Sequence, residues 1–198
     1  MKALIERRVV WSILLLCFGV GNPELTHAQT HLKGQRFFQV SAQAVDRPQL
    51  QLPAANAGYG VSLQLGRYNK HLNSFLMTFG YARKHYPLAL VGDSTLIPLE
   101  QFSFSYGYQF NFYRSANRLF FVRGTTQAMA GYESVNKSQY RLGKDYGLAG
   151  RSRFLIGVDG SVEIEWANVT VGICQRWNPT SRIQPFHTFY QLGYRFHL

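Results

Sequence analysis

The sequence predicts an all-β protein: an eight-stranded antiparallel up-and-down transmembrane β-barrel, preceded by a cleaved signal peptide. Three observations lead there. Apolar and polar residues alternate with a period of two in eight successive segments. The polar faces of those segments carry many glycines and serines, where a strand facing water would carry Lys, Glu and Thr. The connections alternate between short and long, the asymmetry expected of outer-membrane barrels, with their short periplasmic turns and longer external loops.

Residues 1–28 carry the marks of a secretory signal. Lys2, Arg7 and Arg8 make a basic start, Val9 to Val20 an apolar stretch, and Thr26-His27-Ala28 offers small residues for a cut before Gln29. The apolar run is about a dozen residues, short of the roughly 20 that a spanning helix needs. Cys17 follows Leu16, where lipoprotein boxes have a small residue, so it does not mark a lipid anchor. Residues 29–198 are then the barrel. Cys174 is its one cysteine, so no internal disulfide can form.

The strands follow in order. The first, 36–45, turns Phe38, Val40, Ala42 and Ala44 to one side. The second, 57–66, sets Ala57, Tyr59, Val61, Leu63 and Leu65 against Gly58, Gly60, Ser62 and Gln64. Segment 74–84 presents Phe75, Met77, Phe79 and Tyr81, and 101–112 alternates Phe102, Phe104, Tyr106, Tyr108, Phe110 and Phe112 with small or polar residues. Segment 119–133 has Phe120, Val122, Ala128, Ala130 and Tyr132 opposite Arg123, Thr125, Gln127 and Glu133. Segments 154–165 and 168–177 oppose Ile156, Val158, Val162, Ile164, Val169, Val171 and Ile173 to Asp159, Glu163, Glu165, Cys174 and Arg176. The last, from Phe186 to Leu198, sets rings and Leu192 against His187, Gln191, Gly193, Arg195 and His197.

A soluble barrel would turn the large apolar face inward, and a membrane barrel turns it outward. Segment length favours the membrane, since about 9–11 residues suit a tilted spanning strand. The connections near 67–73, 113–118 and 166–168 are short. Those at 46–56, 85–98, 134–153 and 178–185 are longer and hold Pro, Gly, Asn and Asp. Aromatic girdles should then form, with Phe38, Phe75, Phe112, Phe120, Trp166 and Phe196 at the periplasmic end. Tyr59, Tyr81, Phe102, Tyr132, Phe154 and Trp177 should lie at the outer end. Arg67 and Arg83 fall on the outward face at strand ends, where long stems can snorkel.

Eight strands enclose only enough room for side chains. Arg123, Glu163, Glu165 and Arg195 should therefore meet inside as a paired structural network, because an unpaired buried charge is costly. A single copy has no room for DNA. The chain ends on Gln191, Gly193, Phe196 and Leu198 in an alternating strand that resembles the signal read by the outer-membrane assembly machinery.

Chemistry is sparse. There is no nucleophile elbow, zinc-protease helix, phosphate loop or paired-cysteine motif, and no cofactor or metal site is expected. His31, His71, His85, His187 and His197 are scattered, without ligand partners at helical or finger spacing, and suit surface or rim positions. His85, Asp93 and Ser94, or His187 with a loop serine, are the groups a lipid-modifying rim enzyme would use, but no local signature marks a nucleophile. Cys174 suits a buried, inert thiol. The net charge of +11 calls for an anionic neighbour. Lys137, Arg141, Lys144, Arg151 and Arg153 make loop 134–153 a basic external surface suited to lipopolysaccharide phosphates, and no direct nucleic-acid binding is expected. On the lipid side, Gly124, Thr126, Ala128 and Ala130 form a stripe of small residues.

Gly34-Gln35-Arg36 before the first strand, Pro98-Leu99-Glu100-Gln101-Phe102, Ala130-Gly131-Tyr132-Glu133 and Phe186-His187-Thr188 form an ordered series. In order and spacing they resemble the TraO proteins of conjugative transposons in Gram-negative bacteria, over roughly residues 32–198. The turn Trp166-Ala167-Asn168 is shorter than that family's pattern. The resemblance implies a non-catalytic envelope component of a DNA-transfer apparatus, with other conjugation proteins as partners. The alternative is a general surface barrel serving adhesion or envelope integrity.

Overall fold

The computed structural model describes residues 31–47, 57–69, 71–90, 93–135, 152–181 and 184–198; at 87–90, 93–95, 97 and 135 it describes the backbone alone. The signal segment 1–28 lies outside the described residues, as do Lys137, Arg141, Lys144 and Arg151.

Eight strands follow one another: β1 (Arg36–Val45), β2 (Gly58–Tyr68), β3 (Ser74–Leu90), β4 (Asp93–Arg114), β5 (Phe120–Val135), β6 (Arg153–Trp166), β7 (Val169–Trp177) and β8 (Phe186–His197). Each pairs antiparallel with the next, and β1 pairs with β8 to close the barrel. Closure leaves no sheet edge along the wall, so every ladder amide and carbonyl there has a partner.

The alternation in sequence becomes two surfaces. Rings and aliphatic side chains point outward, with Phe154 at 79% and Phe112 at 68% exposed, while Gln39, Ser41, Ser105 and Thr170 are buried within. A belt this apolar is stable only against hydrocarbon. Cross-strand ring pairs brace both rims: Phe38 stacks on Phe196 at 4.4 Å, and at the opposite end Tyr81 meets Phe102 at 5.1 Å and Tyr132 meets Phe154 at 5.7 Å. Between β6 and β7 the turn is two residues, Ala167 (φ 45°) and Asn168 (φ 78°). Two left-handed residues in succession match the twist of a tight hairpin, at some strain for Ala167.

Three sequence expectations need correction. Segment 85–98 is no loop: β3 and β4 stay paired as far as Leu90↔Asp93, making a hairpin whose strands are 17 and 22 residues long. That exceeds the span of a membrane, so the hairpin projects beyond the wall. Pro87 and Pro98 fit because β2 stops pairing with β3 at Lys84 and β5 begins pairing with β4 at Leu99. Beyond those points no further strand among the described residues pairs with the outer edges at Pro87 and Pro98, where a missing N–H is tolerated. Ala57, expected on the outer face, is fully buried just ahead of β2. Gly124, expected in an outward stripe of small residues, lies under the Phe112 ring, which occupies the space a Cβ would need. A register shift between Asn111 and Tyr113 puts Phe112 and Tyr113 both on the outside, aiming Phe112 across its neighbour.

Candidate functional site

The functional chemistry of the described residues lies inside the barrel, in three layers. Short turns and both ends of the chain's described portion define one mouth, the termini end; the projecting hairpin defines the other, the loop end.

At the termini end the four charges expected to meet do lie together. Arg195, fully buried, places Nη2 2.6 Å from Glu163 and Nη1 2.9 Å from Glu165. Arg123, also fully buried, pairs through Nη1 with Glu165. Gln39 links the group, accepting from Arg195 Nε at 2.8 Å and donating to Glu163 at 2.6 Å. Rings sandwich the guanidiniums: Arg195 lies over Phe37 and Arg123 over Phe121, each 4.5 Å from the centroid. Such cation–π contacts suit cations removed from water.

The segment before β1 folds over this layer. Gly34 donates its amide to the Tyr68 carbonyl at 2.8 Å, and Arg67 Nε donates to the Gly34 carbonyl at 3.1 Å. His31 is thereby inserted into the mouth: 3% exposed, its ring lies 4.1 Å from Phe121 and 4.3 Å from His197, and its Nε2 lies 2.8 Å from Glu165 Oε1. Burial lowers its pKa despite the Glu165 carboxylate, favouring the neutral ring. His31, Glu165 and His197 present donor atoms all within 4.8 Å of one another. This cluster was invisible to spacing rules, because 134 residues separate His31 from Glu165.

The middle layer holds a two-pronged pair, Arg176 Nε and Nη2 on Asp159 at 2.8 and 3.0 Å, joined by Ser105 at 2.9 Å. Thr78 and Gln127 pair beside it at 2.9 Å. Between them, Cys174, Ser62 and Gly80 line a void of about 20 Å³. That is room for about one water, not for a passage. Cys174 is a buried free thiol.

The loop end is capped. Asp46 accepts the Thr188 amide at 2.6 Å and Gln184 Nε2 at 3.2 Å, and pairs with Lys84. His187 Nδ1 is 3.5 Å from the same carboxylate, and its Nε2 is 3.1 Å from Gln101 Nε2. Gln101 in turn donates to Glu133 at 3.0 Å. His187 is therefore a buried cap residue rather than a rim residue. His85 is half-buried, and the side chains of Asp93 and Ser94 lie outside the described residues. Arg153 is exposed, donating to the Thr180 carbonyl at 3.3 Å.

Phe196 of β8 and Leu198 just after it are exposed, whereas Gln191 is partly buried on the inner face. Gly193 is squeezed against Ser41 Oγ, the Val40 carbonyl and Thr170 Oγ1, leaving no space for a side chain. Packing thus requires that glycine whatever else recognises it.

A closed eight-stranded wall with a ring-bearing outer surface and a plugged polar core defines a small outer-membrane-type barrel. Solved structures share the fold: OprG of Pseudomonas aeruginosa, at 10% identity and TM-score 0.55, covers 85% of this chain and 98% of its own. Neisserial surface protein A, at 14% identity and TM-score 0.51, covers 81% of this chain and 95% of its own. No curated protein matches the sequence. Residues 32–198 match the family described as conjugative transposon protein TraO, and the chain belongs to that family.

Proposed function

We propose that this protein is a non-catalytic outer-membrane component of a conjugative DNA-transfer apparatus, anchoring or organising the machinery rather than conducting DNA. Membership of the TraO family supports the process. The observation that carries the anchoring role is the interior: charged layers at Arg123–Glu165 and Arg176–Asp159, with a capped loop end, leave no path for a polymer.

In this reading residues 1–28 direct export and are removed. The strand ending Gln191, Gly193, Phe196 and Leu198 is recognised by the assembly machinery, which inserts the chain into the outer membrane of a Gram-negative bacterium. The wall then meets lipid. Lys137, Arg141, Lys144, Arg151 and Arg153 face lipopolysaccharide phosphates, and other conjugation proteins dock at the loops or the periplasmic mouth. No residue acts on nucleic acid directly.

Deleting the gene from a transfer-proficient donor tests this. Mating frequency should fall while growth and detergent resistance stay normal. Unchanged transfer refutes the role. Detergent or adhesion defects that persist without the mobile element would instead assign the protein to envelope integrity.

A further inference from the structure

We propose that Arg36 and Arg67 form a headgroup site for an anionic glycerophospholipid in the periplasmic leaflet, its phosphodiester held between the two guanidiniums. The residues stand directly opposite each other in the β1–β2 ladder, so their side chains leave the same face of the sheet, about 5 Å apart at Cβ. Both are exposed. Like charges placed opposite in a ladder repel, and among the described residues neither arginine has an ion-pair partner. The acidic side chains described at the termini end, Glu163 and Glu165, are buried and already paired with Arg123 and Arg195. An anion from outside the chain would balance the pair.

The segment ahead of β1 sets one of the two in place. Gly34 takes a left-handed φ of 86°, and its carbonyl accepts from Arg67 Nε at 3.1 Å. Its amide is held in turn by the Tyr68 carbonyl at 2.8 Å, which ties the segment to β2. The Arg67 guanidinium is thereby oriented through Nε, leaving its two Nη groups for a ligand. That fork matches two oxygens of a phosphate. Less side-chain freedom is then lost when a headgroup arrives.

The neighbours select a lipid. Phe38 and Leu65 form the next outward pair of the same ladder, and Phe75 stands opposite Arg67 on β3. Phe38 stacks on Phe196, so rings and Leu65 make an apolar track for an acyl chain while the phosphate stays at the interface. A soluble acidic protein approaching the mouth would meet Arg114 and Arg118, exposed beside and within the β4–β5 turn, rather than a pair that projects sideways beneath rings. The lipopolysaccharide phosphates proposed for the basic loop lie at the opposite end. The inference rests on the outer-membrane reading for its lipid surroundings, and on no part in DNA transfer.

The test reconstitutes the purified barrel in nanodiscs made from an equimolar mixture of phosphatidylglycerol and phosphatidylcholine, then releases it with its bound lipid into a native mass spectrometer. The wild type should retain phosphatidylglycerol in preference to phosphatidylcholine. Arg36→Gln combined with Arg67→Gln should lower that preference about tenfold, the loss expected for a charge-assisted hydrogen bond. Arg114→Gln combined with Arg118→Gln makes the same charge change at the same end and should keep it. Equal losses in the two variants would mean diffuse attraction to a basic rim and would overturn the site. A wild type that retains both lipids alike would overturn it without any substitution. Quenching of the exposed Trp166 and Trp177 by brominated acyl chains separates the site from its setting. Quenching without lipid preference overturns the headgroup site alone, whereas no quenching overturns the lipid-facing wall and the site together.

Discussion

Arg123 stands opposite Glu163 in the β5–β6 ladder, yet its guanidinium pairs with Glu165, two residues further along β6. Glu163 is taken instead by Arg195, reaching over β7 from β8. The diagonal choice lets one carboxylate, Glu165, serve Arg123, Arg195 and His31 together. Removing one partner of a buried pair leaves a charge without compensation, at about 3–5 kcal/mol. Glu165→Gln leaves Arg123 without a carboxylate and Arg195 with Glu163 alone, so it should cost more than Glu163→Gln, after which Arg195 still has Glu165. Urea midpoints of barrels refolded into lipid vesicles measure the difference; equal midpoints would contradict the shared-carboxylate arrangement.

The cap at the loop end depends on Asp46, outside the spanning strands. Burial acts to raise its pKa, but the His187 ring 3.5 Å away, the Lys84 ammonium and the hydrogen bond from the Thr188 amide outweigh burial and hold it at about 2, below the ordinary 3.8. A carboxyl lowered on folding contributes stability that is intact above its unfolded value and is lost as pH falls through its folded value. The cap should therefore stay closed at mildly acidic pH and loosen only between the two values just given. The Thr188 amide shift, followed by NMR in micelles, should titrate near the lower value and become insensitive in Asp46→Asn. A midpoint near the ordinary carboxylate value would contradict the cap.

On the outer wall, Leu63 lies in the middle of β2 and Tyr59 near its loop end, both exposed. Leu63→Arg should cost about 2–4 kcal/mol and Tyr59→Arg about 0–1, because the penalty for a lipid-facing charge falls from midplane to interface. Equal penalties would argue against a bilayer around this wall.

Phe112 covers Gly124 across the β4–β5 ladder, where a side chain on the glycine would meet the ring. Gly124→Val should destabilise the barrel, and pairing it with Phe112→Ala should recover part of the loss. Unfolding midpoints of the single and double variants report this coupling. Additive effects would mean that the two residues do not compete for one space.

Strand order and facing were legible because the side-chain period in a strand is two, and lipid on one side with a filled core on the other forces the sequence to obey it. Runs such as Phe102 to Phe112 therefore needed no tertiary information. The β3–β4 projection was not legible, since Pro87 and Pro98 signal loop unless it is known where β2 and β5 stop pairing with these strands. The charges of Arg123, Glu163, Glu165 and Arg195 could be assigned to the interior from parity alone. Their partners could not, because Arg195 on β8 reaches Glu163 on β6 over the intervening β7, a contact that parity does not specify. His31 and Asp46 lie outside any periodic segment, and their burial depends on which groups the closed mouths leave uncovered.

The central claim is that the ring-bearing face meets hydrocarbon. Nuclear Overhauser contacts between protein methyls and lipid acyl chains, measured on the barrel in nanodiscs, test it without any substitution. The exposed methyls of Val61, Leu63, Ile156 and Ile173 should show strong contacts to acyl CH₂ groups, and those of Leu76 and Leu155, buried on the inside, should show none. Acyl contacts at Leu76 and Leu155, with none at the other four, would contradict the account.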